Sequence, residues 1–422
     1  MSIRNQLLTI LLIVSLASIF VPCTEAMQAG WSKVYPGSAF PCGDIIQTND
    51  GGYALTGLNA NKTAAYIAKL DSAGDVQWSN TYGNDTVSNC IVQTSDNGYA
   101  IAGWTFASAW LARTDSSGKL LWSQTYSLDL LANSLVQTSD GGFAFVGEST
   151  HSNAFCLIKT DSAGNEQWAK LYDTSYENIV YQMGTCLINT NDGGFAFVGQ
   201  VQYKDAGSTF TDIWLFKIDS SGNMQWNSTF GRQGSDTACC IIQLQNQDFL
   251  IAGYAGSYGS IPSDALLIKA NSNGAMLWNK TYGGTKANEI NAVIETDDGG
   301  CALAGSTSSY GAGGLDMWLI KTDSNGNPQW NQTFGGAQND GAISVFQTSD
   351  GGYLVGGYTE SNGYKDNFWL IQTNQSGELP EFPFIVSTML VISLTTCIVI
   401  IVHLAKKTNS AHKKETRLKF KP

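Results

Sequence analysis

The sequence predicts an all-β fold, a seven-bladed β-propeller of four-stranded blades closed by the N-terminal strand, followed by one C-terminal transmembrane helix. Three observations predict it. A segment of about fifty residues occurs seven times, the seventh copy lacks its last strand, and a matching strand stands unpaired near the N-terminus. A closed ring requires this displacement, because the first strand of the chain then completes the last blade and leaves no open edge.

Each copy contains the same four features: an Asp-Gly-Gly-aromatic turn, a Trp-Leu-Ile-Lys-like strand, an Asp-Ser-x-Gly turn and a tryptophan. Glycine accepts the positive φ of a hairpin turn, so these turns between β-branched and aromatic runs predict four short strands per copy. A linear solenoid would need distinct caps at both ends, whereas four strands per copy suit a propeller. The first turn recurs at Asp50, Asp96, Asp140, Asp192, Asn246, Asp298 and Asp350, and the tryptophan at Trp78, Trp122, Trp168, Trp226, Trp278 and Trp330, with Trp31 in the unpaired strand as the seventh.

This turn followed by a docked tryptophan resembles the quinoprotein-type and other tryptophan-docked propeller families over residues 30–379. The resemblance implies how neighbouring blades pack against each other. It implies no quinone site.

The two ends predict an exported, membrane-anchored chain. Arg4 and the uncharged run after it are typical of a secretory signal. Residues 384–405 contain no Asp, Glu, Lys or Arg and are long enough to cross a bilayer. Lysines and arginines follow that span at once, which places the tail on the cytoplasmic side and the repeats outside the cell. The predicted divisions are a signal peptide at 1–26, the propeller ectodomain at 27–379, a proline-rich linker at 380–383, the membrane helix at 384–405 and a basic tail at 406–422.

The Pro-Glu-Phe sequence ahead of the span, in Leu379–Pro383, resembles the C-terminal sorting tails of archaeal surface proteins. In that family a sortase-like membrane enzyme removes the tail. The resemblance therefore implies a cell-surface protein whose C-terminal anchor is a processing signal.

The charge between these ends excludes nucleic acid as a partner. The part of the chain between the signal and the tail carries 15 basic and 33 acidic residues, a net charge of −18. Nucleic acid and anionic lipid both demand a basic surface, so the acidic charge argues against them and suits a surface domain that meets cations. The expected partners are an extracellular glycan or protein, with the membrane contacted through the C-terminal helix.

The candidate binding residues lie where the copies differ. The connections between second and third strands are short in the first three copies and longer, with tyrosines and a final aspartate, in the last four. Variable connections on a rigid scaffold are where binding usually occurs, and tyrosines and carboxylates suit sugar hydroxyls, peptides or calcium. The candidates are Tyr203, Tyr254, Tyr258, Tyr310, Tyr358, Tyr364, Asp212, Asp264, Asp316 and Asp366. The alternative is structural: the aspartates cap strand starts and the tyrosines pack on the rim.

Other repeated polar residues have structural or surface interpretations. The lysine of the third strand, such as Lys159, is expected to pair with a turn carboxylate between blades. Cys90, Cys186 and Cys240 share one repeat position and are expected to be small buried side chains, while any disulfide stays unassigned. Glycosylation sequons occur at Asn61, Asn84, Asn227, Asn279, Asn331 and Asn374, three of them directly after a repeat tryptophan on the predicted rim strand.

We expect a binding protein rather than an enzyme, with no cofactor except calcium as an ion the carboxylates would suit. The exported part has one histidine, His151, and lacks the motifs of histidine-based metal sites, nucleophile elbows and phosphate loops. Two alternatives stay open. One is a structural component of the cell envelope, and the other is a carbohydrate-active enzyme with a carboxylate pair drawn from Asp236, Asp264, Asp316 and Asp340.

Overall fold

The structure, a computed structural model, is all-β in the residues it describes, which confirms the predicted class. It describes residues 30–35, 38–106, 108–126, 130–149, 154–173, 177–231, 234–257, 263–361, 363 and 367–379, and the predicted signal, linker, membrane helix and tail lie outside them. Among the residues described, no helix is long and apolar enough to span a membrane.

The described strands number 28. Those of the first half are β1 Ser32–Tyr35, β2 Ser38–Gln47, β3 Tyr53–Asn59, β4 Ala65–Leu70, β5 Val76–Tyr82, β6 Thr86–Gln93, β7 Tyr99–Thr105, β8 Ser108–Thr114, β9 Leu120–Tyr126, β10 Leu130–Gln137, β11 Phe143–Ser149, β12 Phe155–Thr160, β13 Glu166–Tyr172 and β14 Ile179–Asn189. Those of the second half are β15 Phe195–Asp205, β16 Ser208–Ile218, β17 Met224–Phe230, β18 Gly234–Gln243, β19 Phe249–Ser257, β20 Ser263–Ala270, β21 Met276–Tyr282, β22 Asn288–Glu295, β23 Cys301–Thr307, β24 Asp316–Thr322, β25 Pro328–Phe334, β26 Asp340–Gln347, β27 Tyr353–Thr359 and β28 Asn367–Thr373.

The strands pair antiparallel in chain order, four to each sequence repeat. Repeat 1 is β2–β5, repeat 2 is β6–β9, repeat 3 is β10–β13, repeat 4 is β14–β17, repeat 5 is β18–β21, repeat 6 is β22–β25 and repeat 7 is β26–β28. The fourth strand of repeat 7 is β1, which pairs with β28 in the register Val34 to Trp369. The N-terminal strand therefore completes the last repeat, as the sequence predicted.

The first and last repeats also pack on each other. Strand β2 contacts β26 and β28, and Ser344 Oγ of repeat 7 donates to the Ile45 carbonyl oxygen of repeat 1 at 3.1 Å. Ile45 and Phe368 belong to one buried cluster. Each further cluster likewise combines side chains of consecutive repeats, so the apolar core is distributed over the seams between repeats.

The repeat tryptophan docks on the third-to-fourth-strand turn of the following repeat. At the closing seam, Trp31 lies against Gly74, whose φ of +77° and contact with the indole leave no room for a side chain. The hydroxyl of Tyr35 donates to the Gly74 carbonyl oxygen at 2.8 Å. The other docked pairs are Trp78 on Gly118, Trp122 on Gly164, Trp168 on Gly222, Trp226 on Gly274, Trp278 on Gly326 and Trp330 on Gly377.

The third-strand lysine pairs with a turn carboxylate of its own repeat, so the predicted pairing between blades is wrong. Lys159 Nζ lies 2.8 Å from Asp140 Oδ2 and also donates to the Thr160 carbonyl oxygen. Lys159 stands opposite Ala144 in the β11–β12 register, two residues beyond the turn, which brings the carboxylate within reach. The same pairing joins Lys69 to Asp50, Arg113 to Asp96, Lys217 to Asp192, Lys269 to Asp248 and Lys321 to Asp298.

Candidate functional site

The predicted binding residues lie mostly within strands rather than in loops. Tyr203 and Asp212 are in the 11-residue strands β15 and β16, Tyr254 is in β19, Asp264 in β20 and Tyr358 in β27. Asp316 opens β24, and Tyr310 is in the connection before it. Tyr258, Tyr364 and Asp366 fall outside the described residues. The second and third strands of repeat 4 extend into a long hairpin, which the sequence had suggested was a loop.

In repeat 4 the tyrosine and the aspartate bond to each other. The Tyr203 hydroxyl donates to Asp212 Oδ2 at 3.2 Å, and the Tyr203 ring lies 5.8 Å from that of Phe210 across the hairpin. Asp212 is buried. This pair therefore stabilises the extended hairpin, in line with the structural alternative for these two residues.

Asp316 and Asp340 form a buried acidic pair between repeats 6 and 7. They are 1% and 0% exposed, and a Cβ added at Gly335 would lie 2.2 Å from Asp316 Oδ1 and 2.8 Å from Asp340 Oδ2. Burial raises the pKa of Asp316, the N–H groups that it accepts from lower it, and the nearby Asp340 carboxylate raises it further.

Both carboxylates accept hydrogen bonds from the connections around them. Asp316 accepts from the Ala312 N–H at 2.9 Å. Asp340 accepts from the Gly336 N–H at 2.8 Å, from Ser361 Oγ at 2.7 Å and from Thr359 Oγ1. The two buried carboxylates thus hold the backbone N–H groups of these connections in place, which is the capping role that the structural alternative predicts.

The connections of repeats 6 and 7 are also bonded to each other. Asn339 Oδ1 accepts from the Leu315 N–H at 3.1 Å, and Asn339 Nδ2 donates to Glu360 Oε2 at 3.0 Å. The backbone adds an Asp340 N–H bond to the Leu315 carbonyl oxygen at 2.7 Å and a Glu360 N–H bond to the Asn339 carbonyl oxygen at 2.9 Å. The result is a fixed polar surface, called here the loop face and defined by Tyr310, Leu315, Asn339 and Glu360.

Tyr310 is the exposed aromatic residue of this loop face. It is 45% exposed, its hydroxyl donates to the Gly283 carbonyl oxygen at 2.9 Å, and its ring lies 5.8 Å from that of Trp318. The crossing from repeat 5 to repeat 6 is held beside it by the Lys286 N–H, which donates to Ser309 Oγ at 3.0 Å. A tyrosine that is held in place and accessible in this way can stack on a sugar or on a protein side chain, and its hydroxyl oxygen can accept a hydrogen bond.

A second site candidate, which the sequence did not single out, is a cavity of about 380 Å³ lined by first-strand residues of every repeat. The position that carries a cysteine in three repeats carries Asp44 in repeat 1. Its Oδ1 accepts from the Ile45 N–H at 2.8 Å and its Oδ2 from the Ile91 N–H of repeat 2 at 3.3 Å. Burial raises the pKa of Asp44 to about 6, although these two N–H groups lower it. Alignment of the copies at that position would have revealed the carboxylate.

Small polar side chains at the same position link neighbouring repeats around this cavity. Ser134 Oγ accepts from the Leu187 N–H at 3.0 Å, and the Cys186 sulfur lies 4.0 Å from the Ile241 carbonyl oxygen. The Cys240 sulfur lies 3.9 Å from the same oxygen, within its own repeat. The cysteines whose side chains are described, Cys90, Cys156, Cys186, Cys239, Cys240 and Cys301, are all free thiols. No group of three His, Cys, Asp or Glu side chains suited to a metal occurs in the described part of the chain.

The sequons differ in accessibility. Asn61, Asn84, Asn227 and Asn331 are exposed, and Asn279 is half-buried on β21. Asn374 is tied into a turn, because its Oδ1 accepts from the Ser376 and Glu378 N–H groups at 2.9 Å each. Fourth-strand sequons therefore face solvent at two of their three sites.

Comparison with known proteins identifies the fold and no family. No protein-family model matches the chain, and no curated protein is similar to it in sequence. The structure is similar to the Neurospora crassa Pan2 WD40 domain (TM-score 0.52, 11% identity, 83% of this chain and 96% of that one) and to a streptogramin B lyase (0.51, 12%, 83% and 100%). It is also similar to a structure of Drosophila Plexin A in complex with Semaphorin 1b (0.50, 7%, 82% and 87%). At these identities the likeness shows the fold alone, an all-β arrangement of the β-propeller kind.

Proposed function

We propose that the chain is a surface recognition module, a seven-bladed β-propeller of the tryptophan-docked type that binds an extracellular glycan, peptide or protein. Residues 1–26 export it and residues 384–405 anchor it, with the repeats outside the cell. The observation that carries the proposal is the loop face, where the connection that contains the exposed Tyr310 is bonded through Leu315 to Asn339, and Asn339 is bonded to Glu360.

Preorganisation is the physical reason for choosing this surface. A ligand that binds flexible loops must offset the entropy of ordering them, whereas Asn339 and the buried Asp340 already fix these connections. The acidic charge of the ectodomain favours a partner with hydroxyl, amide or cationic groups. The Plexin A structure, which is that of a protein–protein complex, supports a protein partner for a chain of this fold.

A binding screen of the purified full-length protein against immobilised glycans and surface proteins, with and without calcium, tests the proposal. We expect a ligand whose retention falls at least tenfold in Tyr310→Ala, because an exposed aromatic anchor contributes most to such contacts. Lys119→Ala, in an exposed turn of repeat 2, is the matched control and should bind as the parent does. Retention that is equal in both variants would place the ligand elsewhere.

The alternative of a structural envelope component has its own signature. The absence of any ligand, together with assembly of the purified protein into a regular layer, would favour it over recognition.

A carbohydrate-active enzyme is the second alternative, with Asp316 and Asp340 as the candidate pair whose carboxylates both approach Gly335. Their burial argues for a structural role, since a substrate oxygen reaches neither carboxylate without displacing the loops. Turnover of a polysaccharide that Asp316→Asn or Asp264→Asn abolishes would overturn the proposal in favour of catalysis.

The proposed export is tested separately. Protease added to intact cells should remove the repeats and spare the basic tail, and a host that glycosylates Asn-x-Ser/Thr should add mass at Asn331 on the exposed rim strand. Repeats that are protected from the protease would refute the proposed orientation.

A further inference from the structure

The seams between repeats are closed by side chains that recur from copy to copy. Beside the docked tryptophan, the fourth strand supplies a tyrosine whose hydroxyl bonds to the turn carbonyl of the next repeat and a long polar side chain that covers the turn. Between repeats 5 and 6, Tyr282 donates to the Gly326 carbonyl oxygen at 2.8 Å and Lys280 donates to Asn327 Oδ1 at 3.1 Å. The corresponding tyrosine bonds occur at Tyr35, Tyr82, Tyr126 and Tyr172.

At the seam between repeats 4 and 5 these groups are replaced by smaller or less polar ones. Phe230 stands at the tyrosine position, Ser228 stands at the long polar position, and Ala275 stands where the turn of repeat 6 has Asn327. The seam between repeats 6 and 7 also has a phenylalanine, Phe334, at the tyrosine position, but it keeps Gln332 at the long polar position and Glu378 in the turn. The three reductions occur together at the seam between repeats 4 and 5.

The third strand of repeat 5 lacks an aromatic residue that fills the neighbouring seam. Trp318 of repeat 6 is buried among side chains of repeat 5, and its indole Nε1 donates to Asn331 Oδ1 at 3.1 Å. Trp110, Trp214 and Trp369 occupy the same position in repeats 2, 4 and 7. Repeat 5 has Leu266 there, while Asn279, the counterpart of Asn331, is retained.

Repeat 3 shows that a missing tryptophan need not leave a gap. It has Cys156 at this position, but Phe145 packs against Tyr126 with ring centroids 5.2 Å apart and occupies the seam. Repeat 5 has Ile251 where repeat 3 has Phe145, so no side chain in the described part of repeat 5 compensates for the loss in this way.

The consequence is a groove of about 450 Å³ between repeats 4 and 5, a volume in the range of small-ligand sites. Phe230, Leu266, Ile268 and Ala255 form an apolar floor, and Asn279 lies at its wall. Asn279 Nδ2 donates to Met276 Sδ at 3.3 Å, which leaves its Oδ1 as an acceptor. Met276 lines the groove and is 50% exposed, so the groove opens along the rim.

We propose that this groove binds the indole ring of a tryptophan side chain on an extended peptide segment of a partner protein. The indole takes the place that Trp318 fills at the next seam, with its N–H donating to Asn279 Oδ1 as that of Trp318 does to Asn331. A peptide is the source because the groove is open along the rim, where a backbone can pass over the exposed Met276. This site is separate from the loop face and does not depend on it.

Fluorine-19 NMR tests the proposal with two probes, N-acetyl-5-fluorotryptophanamide and a pentapeptide with a central 5-fluorotryptophan. Each probe is added to the full-length protein, which is produced in a host without N-glycosylation. We expect binding of both, and at least tenfold tighter binding of the pentapeptide because its backbone adds contacts along the rim. Equal affinities would overturn the peptide source in favour of a free indole compound. Absence of binding by either probe up to its solubility limit would overturn the site.

Two variants connect the binding to the groove. Leu266→Trp supplies the missing indole from within the chain and should abolish binding, while Leu121→Trp, which adds a tryptophan at an exposed rim position of repeat 2, should leave it unchanged. Asn279→Ala should weaken binding about threefold to tenfold through the lost N–H bond. Asn227→Ala, at the same repeat position but outside the groove, is its control. Binding that survives Leu266→Trp, or that falls equally in both asparagine variants, would refute the assignment.

Discussion

Removal of the first docked tryptophan measures whether the N-terminal strand closes the last repeat. We expect Trp31→Ala to lower the free energy of unfolding by about 2 kcal/mol. A fully buried tryptophan replaced by alanine costs about 3–5 kcal/mol, and Trp31 is half-buried, so roughly half of that is lost. The indole packs on Gly74 and makes an edge contact with Tyr53 at a centroid separation of 6.3 Å, and alanine reaches neither.

Urea unfolding followed by circular dichroism is the measurement, with two comparisons. Trp122→Ala removes an equivalent indole inside the chain, on Gly164, and should cost the same within about 0.5 kcal/mol. Leu121→Ala removes a side chain that is 53% exposed and should change little. If Trp31→Ala proves as mild as Leu121→Ala while Trp122→Ala is costly, the terminal strand is not docked and the argument for closure fails.

Three further predictions concern pH and one seam. Burial would raise the pKa of Asp140, but its hydrogen bonds, that from Lys159 foremost, hold the pKa at about 2. The ionised carboxylate therefore stabilises the folded protein fully above about pH 4, and this stabilisation is lost as the pH falls through 2. Thermal unfolding should show a smaller loss of stability in acid for Asp140→Asn than for the parent. Burial raises the pKa of Asp44 to about 6, so the pH dependence has the opposite sign: the folded protein loses stability as the pH rises from about 4 through 6 and the buried carboxyl group ionises. Asp44→Asn should remove that loss and stabilise the protein at pH 8 by on the order of 1–3 kcal/mol in urea unfolding, because water in the cavity screens part of the full shift. Phe230→Tyr should add the seam hydrogen bond to the Gly274 carbonyl oxygen and raise the free energy of unfolding by about 1 kcal/mol, and a variant no more stable than the parent would show that this carbonyl is out of reach.

The repeat architecture was predictable because its determinants are local. The Asp-Gly-Gly and Asp-Ser-x-Gly turns each set a hairpin within a few residues. The unpaired strand around Trp31 matched the one strand that repeat 7 lacked, and it pairs with β28 there. The lysine partner was not predictable in the same way. Lys159 and Asp140 are 19 residues apart, and only the β11–β12 register shows that they meet inside one sheet.

The candidate site was predicted as a region but not residue by residue. The sequence indicated that the connections of the last repeats differ, and it predicted Asp212 and Asp316 as ligand-binding residues. Pairing across β15 and β16 decides how far a hairpin extends, and this placed Asp212 in a strand under Tyr203. Asn339 carries no motif, and its role in joining the connections of repeats 6 and 7 follows only from its bonds to Leu315 and Glu360.

Features that recur in every copy serve the stability of the fold, and positions where one copy differs from the others are where we propose binding. The docked tryptophans recur because every seam needs them, whereas the turn ion pairs recur inside six of the repeats. A copy that departs at its seam loses packing unless something else supplies it. Phe145 supplies it in repeat 3, whereas nothing described does so beside Leu266. Asp236 lines that groove and belongs to β18, which follows the crossing from repeat 4. A protein partner that used both proposed surfaces, the groove and the loop face, would bind more tightly than through either alone.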